Sequence, residues 1–127
     1  MSELLTYHSF LTSLGFTIVV ETCVVFTLLL FAFRERKLDT GLMLFACIFV
    51  NCATVPYVWF VVPGILGVDR SAAFWISEPF VFLVEALFYR VVLGIDMKKA
   101  LVLWLAANAA SYFLGPILRG LGIWLYW

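Results

Sequence analysis

Four apolar runs, at 11–33, 41–62, 74–95 and 100–123, occupy nearly the whole chain and are separated only by short polar connections. A helix of about 20 mostly apolar residues spans the hydrocarbon core of a bilayer. No water reaches the backbone there, so the chain must satisfy its own N–H and C=O groups, and a helix does so within one segment. The runs therefore predict an all-α integral membrane protein, a single transmembrane domain over 1–127 built as a four-helix bundle. Composition agrees: 65% of the residues are apolar and 13% charged, where a soluble domain is nearer one half and one quarter. The connections leave no length for a soluble catalytic domain. The first run lacks the basic stretch and small-residue cleavage site of a secretory signal, so it reads as a retained helix.

Charge in the connections predicts sidedness. Arg34, Arg36 and Lys37 follow the first run, and Lys98 and Lys99 precede the fourth. The connection at Val68-Asp69-Arg70 holds one basic residue and the first ten residues hold none. The positive-inside rule puts both basic turns in the cytoplasm and both termini on the non-cytoplasmic side of a plasma membrane. Tyr7, Trp59, Trp75, Trp124, Tyr126 and Trp127 fall where outer interfacial aromatics belong. Arg70 and Arg119 fall near the same surface, where long side chains snorkel. Asp39 and Asp96 stand just before the second and fourth runs and are expected to cap those helices, a carboxylate meeting free backbone N–H groups. Pro56 and Pro63 flank the outer end of the second run, and Pro116 lies late in the fourth; each can kink or end a helix.

The chain also aligns with itself. At an offset of 57 positions, 21–56 matches 78–113 without a gap, with identities at Glu21/Glu78, Val24/Val81, Leu30/Leu87, Phe31/Phe88, Asp39/Asp96, Leu44/Leu101, Asn51/Asn108 and Ala53/Ala110. Composition alone gives about three. Two such hairpins share one orientation, so the expected relation is a parallel repeat about an axis along the membrane normal.

The polar residues inside the runs carry the functional reading. Ionisable groups in a bilayer are costly and mark partners, ion paths or substrate sites. Glu21, Asn51, Glu85 and Asn108 share a central layer, each about 14–20 Å from the inner helix ends at about 1.5 Å per residue. Glu78 lies closer to the outer face, two turns before Glu85. Asn51 and Thr54 share one helix face with Cys47, and Asn108 and Ser111 share another with Gly115. These small and polar stripes are expected to join the second and fourth helices by hydrogen bonds. Arg90, within the third run, is a candidate counter-ion for Glu21 or Glu85. The glutamates themselves admit three roles: neutral acids or ion pairs that fix the fold, contacts to another membrane chain, or a proton, metal-ion or cation path.

Other chemistry is missing from the sequence. There is no HExxH, GxSxG, P-loop or GxGxxG. His8 is the lone histidine and Cys23, Cys47 and Cys52 are scattered, so no metal site, catalytic residue or cofactor is assigned. A formal net charge of zero gives no electrostatic case for nucleic acid. The expected partners are the lipid bilayer and either other membrane chains or further copies of this one. The leading expectation is a small polytopic protein that works by helix association, as a homo-oligomer or an accessory subunit of a larger complex. The alternatives are a small transporter or ion-conducting protein using its glutamates and, more remotely, an intramembrane enzyme acting on a lipid or quinone.

Overall fold

The computed structural model describes residues 2–122. Trp124, Tyr126 and Trp127, and the last position of the fourth expected span, lie outside the described residues. The described chain is helical throughout, with no strand. Helix α1 (Ser2–Thr27) runs into a π-helical turn, Leu28–Ala32. Helix α2 (Thr40–Pro56) continues through a second π-helical turn, Tyr57–Val61, into the short α3 (Val62–Leu66). Helices α4 (Arg70–Leu93) and α5 (Met97–Gly120) complete the order. The described chain thus forms four long helical stretches. Three of them, Leu4–Ala32, Thr40–Leu66 and Met97–Gly120, are long and apolar enough to cross a membrane. Helix α4 has the same 24-residue length as α5 but interrupts its apolar run with Glu78, Glu85 and Arg90.

The helix boundaries follow from local chemistry. Asp39, Asp69 and Asp96 stand in extended backbone before α2, α4 and α5, and each carboxylate accepts the N–H three residues on, from Leu42, Ala72 and Lys99. Two of these caps were expected; Asp69 is a third of the same kind. Gly67 and Gly94 end α3 and α4 at φ of 63° and 64°, a left-handed conformation that a Cβ disfavours. Arg34 adopts the same conformation, at φ 56°, after the first π turn. There the Glu35 N–H reaches back to the Leu29 carbonyl at 2.8 Å, the long-range bond that closes such helix ends. The second π turn begins directly after Pro56, which has no N–H to offer its own ladder, and the Val62 N–H bonds five residues back to Tyr57.

The long helices form a ring in the order α1, α2, α4, α5, each packed on its two neighbours. α1 and α4 stand on one diagonal and α2 and α5 on the other. Buried positions fall in matching series. In α1 they are Ser13, Thr17, Glu21, Val25 and Leu29, and in α4 Ser77, Val81, Glu85, Tyr89 and Leu93. In α2 Met43, Ala46, Val50 and Thr54 are buried, matched in α5 by Ala100, Leu103, Ala107 and Ser111. Val25, Leu29, Met43, Val50, Tyr89, Leu93 and Leu103 pack into one apolar core. That core fills the end of the bundle nearest the two basic turns. The turns are tied together at that end by an ion pair between Lys99 and Glu35.

Candidate functional site

Above the apolar core lies a polar layer with one recurrent pattern. The Asn51 amide on α2 donates to Glu21 Oε2 on α1 at 2.9 Å and to its own Cys47 carbonyl at 3.0 Å. The Asn108 amide on α5 donates to Glu85 Oε2 on α4 at 2.8 Å and to its own Trp104 carbonyl at 3.1 Å. Two hydroxyls then cross between the hairpins. Ser111 on α5 donates to Glu21 Oε1 at 3.0 Å, and Thr54 on α2 donates to Glu85 Oε1 at 2.8 Å. Each carboxyl group therefore receives one amide from its own hairpin and one hydroxyl from the other. Both glutamates are almost fully enclosed, at 1% and 2% exposure. Each asparagine is oriented by two acceptors at once, which fixes the amide without ambiguity between its O and N ends.

This arrangement corrects several expectations. Asn51 and Asn108 do not join the second and fourth long helices to each other, because α2 and α5 occupy opposite corners of the ring; each asparagine instead binds a glutamate on an adjacent helix. The partner of Asn108 is Glu85, 23 residues away, whereas Glu21 and Asn51 are 30 residues apart. Glu78 sits two turns nearer the chain termini, off the level of Asn108. Arg90 is exposed and pairs with neither acid. Five residues past Glu85 is a rotation of about 140° around the helix, which points it away from the bundle interior. Among the described residues no basic side chain forms an ion pair with Glu21, Glu78 or Glu85.

The same layer is the floor of a cavity of about 320 Å³. Glu21, Asn51, Thr54, Glu85, Asn108 and Ser111 all contribute to its lining. So does Glu78, half-buried, whose carboxylate has no hydrogen-bond partner among the described residues. The walls rise toward the end of the bundle that carries the N-terminus, and they become aromatic: Trp59, Phe74, Trp75 and Tyr112, while Trp104 lines the cavity one turn below Asn108. Phe74 and Tyr112 stack across α4 and α5 at 5.5 Å between centroids. The Arg70 guanidinium lies 4.3 Å over the Trp59 ring. Trp104 packs edge-on to Phe82 and its indole N–H is buried without an acceptor.

Ser13, Thr17, Ser77, Phe74 and Tyr112 were not singled out from sequence, and Trp59 and Trp75 were read only as interfacial aromatics. A signal for two of them existed, since Ser13, Thr17 and Glu21 recur every four residues on one face of α1. The walls had no comparable signal, because aromatic residues are common at membrane interfaces whatever they line. Cys47 is buried in the core while Cys23 and Cys52 face outward. Among the described residues no three His, Cys, Asp or Glu side chains converge as metal ligands. No family model, curated protein or solved structure matches this chain, so its geometry carries the functional reading.

Proposed function

We propose that the protein is a four-span membrane protein that binds a cation between Glu21 and Glu85 and carries it across the bilayer. The observation behind this reading is the twin-carboxyl layer at the floor of an open cavity. Two enclosed acids without a basic partner are expensive in a bilayer unless they serve a proton or a cation. Their neighbours supply only hydrogen-bond donors, so the negative charge has no compensation within the described chain. Binding sites of this kind, at the level where helices of two repeats meet, suit alternating access. In this reading α4 also spans the membrane, third in chain order, the two basic turns face the cytoplasm of a plasma membrane, and the termini face outside.

The hydrogen bonds and burial series also support an internal duplication of hairpin α1–α2 into α4–α5. The second helices match at the 57-residue offset, Asn51 with Asn108 and Thr54 with Ser111. The first helices match at 64, Glu21 with Glu85 and Ser13 with Ser77. The difference is seven residues, two helical turns, taken up by the longer first connection with its π turn. A rotation about the bundle axis exchanges the halves and places two equivalent carboxyl groups across the centre.

The reading is tested by cation flux into proteoliposomes. The double variant Glu21→Gln and Glu85→Gln should lose flux while eluting as the native particle does; undiminished flux in that variant removes the acids from the path. A second reading, association with further membrane chains, draws on the outer surface. Phe45 and Phe49 are about half exposed; Phe45 stacks on Phe49 and Phe49 on Phe88 along the α2–α4 face, each pair at 5.3 Å. Particle mass and co-purifying chains from native membranes test it, with Phe49→Ala expected to reduce any assembly that uses this face.

A further inference from the structure

We propose that the cavity takes a monovalent organic cation, an ammonium nitrogen on an apolar body about the size of one ring, and that Glu78 selects it. The inference rests on the cation-binding reading above and names the class of cation.

Size argues first. A cavity of about 320 Å³ falls at the small end of the range that holds organic ligands, roughly 300–1,000 Å³. A bare alkali ion would leave most of it empty. The chemistry of the lining argues second. Multivalent metal ions need several converging oxygen or nitrogen ligands, and Glu21, Glu78 and Glu85 do not converge in that way. The oxygens of Glu21 and Glu85 each accept one amide or hydroxyl donor, so the two acids still attract a cation, but by themselves they fall short of the several ligands a multivalent ion needs. The walls, by contrast, offer aromatic faces, which attract weakly hydrated cations through the ring quadrupole.

The chain supplies its own example of that attraction. Arg70, at the rim, places its guanidinium on Trp59, so a wall of the cavity already holds an organic cation. Glu78 then stands between rim and floor, on the same face of α4 as Glu85, with carboxylate oxygens that accept nothing from the described chain. It is the one acid in the cavity whose oxygens take no bond from the described chain, and it can pair with the charge of an incoming ammonium. A ligand with its nitrogen at Glu78 and its apolar body among Phe74, Trp75 and Tyr112 would use what the protein leaves unfilled. Arg70, a like charge at the rim, opposes entry.

The test uses the full chain in nanodiscs of neutral phosphatidylcholine, with empty nanodiscs as the reference, titrated calorimetrically with benzyltrimethylammonium, sodium chloride and potassium chloride. The expected result is saturable binding of benzyltrimethylammonium, weakened about tenfold or more in Glu78→Gln, as one unscreened charge is lost, and strengthened in Arg70→Gln. Trp75→Leu, at an exposed rim position, should weaken it less. Glu78 makes no hydrogen bond among the described residues, so its Gln variant should retain the native elution profile. Binding of sodium or potassium that depends on Glu21 and Glu85, with none of benzyltrimethylammonium, overturns this inference and leaves the cation reading standing. Organic-cation binding unchanged in Glu78→Gln overturns the selecting role. Absence of binding by all three cations, together with unaltered flux in the Glu21/Glu85 double variant, overturns both.

Discussion

The difference between Gln and Leu at one position separates the two things a buried carboxyl does here. Glu85 accepts from the Thr54 hydroxyl and the Asn108 amide. In Glu85→Gln the carbonyl oxygen can still take the Asn108 amide, and the Thr54 hydroxyl can turn to accept the new NH₂. The expected stability change is about 1 kcal/mol. In Glu85→Leu the Thr54 hydroxyl and the Asn108 amide keep only the Val50 and Trp104 carbonyls of their own helices, one amide N–H loses its partner at about 1–3 kcal/mol, and thermal unfolding in detergent should show the larger loss. Flux should fall in both. The Asn108→Leu variant provides the converse, removing one donor from Glu85 while leaving the charge in place. The layer's members were legible in sequence, because polar residues in apolar runs stand out by their cost. Their pairing was not. Asn51 stands 30 residues after Glu21 and Asn108 30 after Glu78, yet the height of each residue in the folded bundle gives Asn108 to Glu85.

At the level of elements, the caps and turns carry the readable part. Asp39 and Asp96 announced helix starts because a carboxylate before an apolar run has few other uses, and the same logic applied to Asp69 would have found the third. Asp96→Ala should cost about 1 kcal/mol, seen as a lowered unfolding midpoint, with α5 fraying first. Arg34 is the opposite case. It holds a left-handed backbone that costs an L-residue about 1–2 kcal/mol, so Arg34→Gly should gain about 0.5–1 kcal/mol after allowing for the greater freedom of glycine in the unfolded chain. Neither π turn was legible. Nothing in Leu28–Ala32 marks it, and Pro56 signals a break without saying that the helix continues with a wider turn. In the proposed duplication the extra length of the first connection shifts the offset from 57 to 64, which an ungapped alignment cannot express.

For the molecule as a whole, three helical stretches have the length and composition to cross a bilayer; the sidedness proposed for them makes a direct prediction. In a background without native cysteines, Arg36→Cys should react with a membrane-impermeant maleimide only in inside-out vesicles, and Val68→Cys only in right-side-out ones. Equal labelling of both would remove the assigned orientation. The apolar core at the basic end bears on a different question, the kinetics of any passage. With Leu29, Met43, Leu93 and Leu103 at 3% exposure or less, the cavity is a well with a stopper beneath it. Ions cannot stream through a blind well. A solute that enters must wait for the stopper to part, a collective motion on the microsecond-to-second scale, so traffic should come as discrete, saturable deliveries, too slow to register as electrical current from a single molecule.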